Sequence, residues 1–218
     1  MPLCREKPGA ALPGAERSCK KVNLLCRETE ATFNMEKKAK GQSKVRIRKT
    51  RRKQMGNIIL VGMPSCGKST VGVVLAKTMN KGFTDTDLLI QQAEGKTLQE
   101  IINENGNDYF HRVEERELLA FDEENCVVAT GGSAIYFDRA MEKFKEKGEI
   151  VYLQVSLDTV LTRLSNIRTR GVTLEKGQTL EDLYRQRIPL YEKHADVTIC
   201  GDGLTVEEVV EKIVAALQ

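Results

Sequence analysis

The sequence predicts an α/β fold: one doubly wound domain built on a parallel sheet. Three observations carry that expectation. Short apolar runs alternate with longer segments of helical spacing. Five such runs occur between residues 57 and 199, and strands separated by helices pair in parallel with both faces covered. The first run, Asn57-Ile58-Ile59-Leu60-Val61, passes into a glycine-bounded loop at 62–69 and then into an amphipathic helix.

The helix after that loop is expected over 68–79. Phe83-Thr84-Asp85 is a short strand ending in Asp85-Thr86-Asp87. Residues 88–93 and 98–102 have helical spacing, and 110–121 is a further helix with Val113, Leu118 and Leu119 on its apolar side. Cys126-Val127-Val128-Ala129 is a buried strand that runs into Thr130-Gly131-Gly132-Ser133. A helix at 139–146, the strand Ile150-Val151-Tyr152-Leu153 and a helix at 157–164 follow. Residues 166–178 are polar, basic and contain glycine, with no clear element. A helix at 180–192, the strand Val197-Thr198-Ile199 and an amphipathic helix at 206–217 close the chain. Ligands of such a sheet sit at the carboxyl ends of its strands. The 62–69 loop, the Asp-Thr-Asp segment and the Gly-Gly-Ser segment all lie at such ends and are expected to converge.

At 218 residues the chain is long enough for one domain with a proper core, and 40% hydrophobic with 30% charged residues is a globular composition. No apolar run approaches the roughly 20 residues of a membrane span. Charge is unevenly distributed. Residues 1–54 hold 16 basic and 5 acidic groups, net +11, whereas the rest hold 18 and 26, net −8. The basic character belongs to the leader, so nucleic acid is not an expected partner of the domain. Residues 1–54 lack sustained periodicity and end in a nearly unbroken basic run at 44–53, which reads as a disordered leader. A transit peptide and a nucleic-acid-binding tail are alternatives. The preferred reading is upstream sequence translated in frame, with Met55 as the natural start of a domain spanning 55–218. Arg51-Arg52 encoded AGG-AGG would be a ribosome-binding sequence, and CGN codons there would remove that motive. Six cysteines, at 4, 19, 26, 66, 126 and 200, form no C-x-x-C pair and accompany two histidines, which points to reduced thiols and away from zinc. Cys66 is either a small loop residue or a thiol activated by the helix N-terminus and Lys68.

Gly62-Met63-Pro64-Ser65-Cys66-Gly67-Lys68-Ser69 is a P-loop in its required strand–loop–helix context. Its backbone N–H groups and the helix N-terminus form a site for phosphate anions. Lys68 can place its ammonium on β- and γ-phosphates, and Ser69 can ligate the Mg²⁺ that bridges them.

Taken together, the P-loop, Asp85-Thr86-Asp87, Phe110 with Glu114, Thr130-Gly131-Gly132, Arg170-Gly171 and Arg187-Ile188-Pro189-Leu190-Tyr191 resemble the shikimate kinase family over about residues 56–217. That resemblance implies a three-layer P-loop kinase fold, with a five-stranded parallel sheet, helices on both faces and a mobile lid. It implies transfer of the γ-phosphoryl of ATP to the 3-hydroxyl of shikimate, within aromatic amino-acid biosynthesis, by a cytoplasmic monomer needing Mg²⁺. By resemblance, Ser65, Cys66, Gly67, Lys68, Ser69 and Thr70 hold ATP, with Ser69 and Asp85 toward Mg²⁺. Asp87 holds substrate hydroxyls and accepts a proton. Gly131 and Gly132 pack against the substrate. Arg170 closes over the phosphates, and Arg187 binds the substrate carboxylate.

Two positions depart from the family pattern. His111 stands where an arginine usually follows the phenylalanine, and Ser133 replaces the third glycine. Both changes fall on the acceptor side. They keep open a related kinase for another small hydroxy acid or polyol, and, from a different class, a nucleotide-binding module without catalysis. Phosphorylation of a panel of acceptors separates the three.

Overall fold

The computed structural model describes residues 56–165, 173–175 and 177–218. The leader 1–54, Met55 and the expected lid arginine, Arg170, lie outside the described residues. Five strands form one parallel sheet: β1 (Asn57–Val61), β2 (Gly82–Asp85), β3 (Cys126–Ala129), β4 (Gly148–Gln154) and β5 (Val197–Cys200). Their order is β2-β3-β1-β4-β5. The register pairs Ile59 with Val128 on one side and with Ile150 on the other. Every residue of β1 and of β3 is buried, whichever face it points to. Both faces of the central sheet are therefore covered, which is why these strands are continuous apolar runs. The edge strands β2 and β5 are only partly buried and correspondingly more polar.

The helices are α1 (Lys68–Met79), α2 (Thr86–Glu94), α3 (Leu98–Ala120), α4 (Asp138–Lys147), α5 (Leu157–Ser165), α6 (Leu180–His194) and α7 (Val206–Leu217). Helix α1 packs on β1, β2, β3 and α7, while α4 and α6 pack on β4. The main core joins the strands to Leu75, Ile135, Phe144, Leu183, Tyr191 and Ile213. A second cluster of Ile90, Ile101, Phe110 and Val113 holds α2 against α3. Three helices start with reciprocal capping boxes: Thr97 with Glu100, Thr179 with Asp182, and Thr205 with Glu208.

Two features refine the expected elements. The helices expected at 98–102 and 110–121 are separate as expected, broken at Gly106, which takes φ 83° and ψ 170°, a conformation open to glycine; they extend toward that break and together make up α3. A short 3₁₀ turn, Ala134–Tyr136, follows the Gly-Gly-Ser segment and was not anticipated.

Candidate active site

The P-loop leaves β1 at Gly62 and enters α1 through Gly67, which caps the helix at φ 110°. No side chain caps this end and no acidic residue occupies the first turn. The first N–H groups of α1 are thus left to an anion, as a phosphate site requires. Lys68 is buried and curls back, its Nζ donating to the carbonyls of Gly62 at 2.8 Å and Met63 at 3.0 Å. Cys66 Sγ is 3.7 Å from the same ammonium. Arg163, at the end of α5, donates to the carbonyls of Ser65 and Cys66 at 3.3 and 3.1 Å and so braces the loop from outside. Beside the loop, Ser65, Cys66, Gly67 and Thr70 line a cleft with Arg163 and an apolar wall of Val71, Leu204, Val206 and Val209.

A second cleft lies across the carboxyl ends of β1, β2 and β3. It gathers Lys68, Ser69, Asp85, Asp87, Gly131, Gly132 and Ser133, which are far apart in sequence. Hydrogen bonds explain the convergence. Thr130 donates from both its N–H and its hydroxyl to Leu60 O, joining the end of β3 to β1. Gly131 N donates to Thr86 Oγ1 at 3.1 Å, joining it to the start of α2. Asp85 Oδ1 accepts from Asp87 N at 3.0 Å, so Asp85 is the N-cap of α2 while also lining the cleft. Ser69 and Asp85 offer hard oxygen donors suited to Mg²⁺. No group of three or more His, Cys, Asp or Glu is placed to cage a metal among the described residues.

Arg187 lines a third cleft. It is only 2% exposed. Its Nε donates to Tyr136 Oη at 3.2 Å, its Nη2 to Thr173 Oγ1 at 3.3 Å, and its guanidinium lies over the Tyr136 ring. No carboxylate pairs with it among the described residues. A buried guanidinium without a counter-ion is costly, so the arrangement is suited to an anionic ligand. A Cβ at Gly132 would stand 2.9 Å from Arg187 Nη1, so glycine keeps the guanidinium reachable from the second cleft. Tyr191 Oη fixes that segment by donating to Gly132 O at 2.7 Å.

His111 lines the third cleft with Arg187, Tyr136 and Thr173. Burial, and then the charge of Arg187, hold its imidazole below the usual histidine range. Its Nε2 is buried with no hydrogen-bond partner among the described residues. Arg112 points elsewhere, its guanidinium exposed and 6.0 Å from the Tyr109 ring.

Sequence reasoning missed two contributors, Tyr136 and Arg163, and quoted a third, Glu114, without giving it a role. Glu114 is fully buried, accepts a hydrogen bond from Ser133 Oγ at 2.5 Å and lines the second cleft. Desolvation pushes its carboxyl up to about 7, opposed by the Ser133 hydrogen bond and reinforced by Asp87. The signal was legible: Glu114 falls in the apolar stripe of Phe110, Val113 and Leu118. Tyr136 and Arg163 carried no motif.

The profile of the shikimate kinase family matches residues 64–218. A shikimate kinase of Sulfurihydrogenibium sp. is 36% identical over 165 residues, covering 75% of this chain and 99% of that protein. One from Clostridium botulinum strain Okra is 39% identical over 168 residues, covering 74% and 96%. Among solved structures, the shikimate kinase of Acinetobacter baumannii in complex with shikimate superimposes with a TM-score of 0.71. It does so at 30% identity over 77% of this chain and 96% of that one.

Proposed function

The chain belongs to the shikimate kinase family, and from that premise we propose that it transfers the γ-phosphoryl group of ATP to the 3-hydroxyl of shikimate. The observation that carries the acceptor assignment is Arg187. Its buried guanidinium has no carboxylate partner among the described residues, and its Nη1 lies close behind Gly132, which lines the cleft of Asp87. A substrate carboxylate supplies the missing charge through a planar two-point contact.

The roles follow from position. The amides of Ser65 to Thr70 cradle the phosphates, and the apolar wall beside Arg163 receives the adenine. Lys68 leaves the carbonyls of Gly62 and Met63 for the β- and γ-phosphates. Ser69 and Asp85 would hold Mg²⁺, which neutralises phosphate charge when bound. Asp87 orients the attacking hydroxyl and takes its proton as the new O–P bond forms. The γ-phosphorus separates from the oxygen it shared with the β-phosphate. Arg170 neutralises charge on the transferring group, and the segment around it serves as the lid. All of this chemistry belongs to the domain 55–218, acting as a monomer.

A second reading has one observation in its favour. His111 is kept neutral beside Arg187, where a second cation would strengthen carboxylate binding. That leaves room for another hydroxy acid or a polyol. Steady-state phosphorylation of shikimate, quinate, gluconate and homoserine separates the two. The proposal expects shikimate to have the highest kcat/KM, and preferential turnover of any other acceptor would replace it.

A further inference from the structure

The cleft beside the P-loop is assembled from separate elements. Leu204 from the loop after β5, and Val206 and Val209 from α7, form its apolar wall together with Val71. Arg163, in the last turn of α5, lines the same cleft. The loop between β5 and α7 contains Gly201 and Gly203, the latter at φ 70°. Its backbone is held at one end by Gly201 N, which donates to Gln154 O at 2.8 Å. At the other end Thr205 opens α7 with its capping box. Between them Leu204 N reaches Gly201 O at 3.4 Å, a long bond that fixes Leu204 weakly.

Asp202 ties this loop to α5. Its Oδ2 accepts from Ser156 N at 2.8 Å, and its Oδ1 accepts from Ser156 Oγ at 3.2 Å and from Thr159 Oγ1 at 2.6 Å. Ser156 Oγ in turn accepts from Thr159 N at 3.3 Å, and Ser156 O from Val160 N at 3.1 Å, so Ser156 caps α5. The Thr159 hydrogen bond holds the Asp202 carboxyl below the usual carboxylate range against desolvation, and Ser156 and the charge of Arg163 add to it. Hydrogen bonds to such an anion are stronger than those between neutral groups. The far end of the same helix carries Arg163, which donates to Ser65 O and Cys66 O. One carboxylate thus joins the apolar wall to the helix that braces the P-loop.

We propose that Asp202 is a positioning residue for the nucleotide. Its carboxylate holds the wall of Leu204 and Val206 in place beside Arg163, so that the flat apolar face of the base meets a preformed surface. Asp202 acts through that wall. This inference rests on the nucleotide cleft assigned above.

Asp202→Ala removes the tie. The KM for ATP is expected to rise at least about fivefold, the scale of ordering one or two side chains on binding, with kcat and the KM for shikimate within about twofold. Inorganic tripolyphosphate, which has phosphates and no base, is the second probe. Its Ki against ATP is expected to stay within about twofold, because the P-loop keeps its amides. Thr159→Val, which has the shape of threonine without the hydroxyl, is expected to raise the KM for ATP as well, and Thr159→Ser to restore it. In the Asp202→Ala background, Thr159→Val is expected to add little. The threonine series carries the test should Asp202→Ala fail to fold. An unchanged KM for ATP with a lowered Tm would show a merely structural tie and overturn the proposal. So would an equal rise in the tripolyphosphate Ki, a parallel rise in the KM for shikimate, or strict additivity of the two substitutions. Wild-type turnover is measured first: absence of ATP-dependent transfer overturns the proposed reaction and this inference with it. Robust turnover with an ATP KM indifferent to Asp202 and Thr159 overturns this inference alone.

Discussion

Lys68 and Glu114 show how differently single residues declare themselves. Lys68 was legible because phosphate chemistry demands a lysine at one place in a glycine-bounded loop. It contributes charge and little packing, its Nζ resting on the carbonyls of Gly62 and Met63. Lys68→Ala is expected to lower kcat by at least about a hundredfold, the scale of losing one preorganised charge donor. Circular dichroism should show an unchanged fold. Glu114 was visible as the acid that follows Phe110 in an apolar stripe, without a role, and its meaning came from the neighbours that folding supplied. Its carboxyl sits near pH 7 when folded against a usual 4.5, because burial disfavours the charge. A raised folded pKa stabilises the fold fully below about 4.5, and that contribution is lost as pH rises through about 7. In urea titrations of the ligand-free protein, Glu114→Gln should remove this slope. Relative to that variant, wild type should lose up to about 3 kcal/mol between pH 4.5 and 7.5. Arg163 was not legible at all, since it reaches the loop carbonyls from 97 and 98 residues away.

Elements were read well where one local rule governed them. The strand Cys126–Ala129 and the helices Lys68–Met79 and Val206–Leu217 have the bounds that periodicity predicts. Element bounds were less legible where tertiary packing sets them. The break expected after Ile102 falls at Gly106, and the helices on either side of it reach further toward it than spacing showed, their flanks held by the second core cluster. Helix α6 runs through Pro189 as its spacing predicts, despite the lost N–H, because Leu183, Arg187 and Tyr191 are buried along it. That helix carries Arg187, so its N-terminal cap supports the site without touching it. Thr179 accepts from Asp182 N at 3.1 Å, and its own N–H donates to the Asp182 carboxylate at 3.0 Å. Thr179→Ala should cost about 1 kcal/mol. A Tm lower by roughly 2–4 °C, with kcat unchanged, is the expected thermal-melt result.

At the scale of the molecule, five parallel strands were legible from alternation, but the order β2-β3-β1-β4-β5 was not. Strand order depends on which crossovers fit, and single strands do not encode that. The convergence of three strand ends was legible because parallel sheets place ligands there. Residues 1–54 hold net charge +11 against −8 for the rest and offer few periodic apolar positions. Their deletion should leave Tm and kcat/KM unchanged, and a large fall in Tm would show that they pack on the domain. The central claim is that an ATP-dependent transfer is directed by a buried Arg187, with no carboxylate partner among the described residues, taking a substrate carboxylate. The most direct measurement compares the wild-type kcat/KM of shikimate with that of its methyl ester, in which the hydroxyls are retained and the charge is gone. The account predicts ready turnover of shikimate and a loss of at least about tenfold for the ester, the scale of one charge-assisted pair. Equal turnover of the two, or no turnover of shikimate, would contradict it.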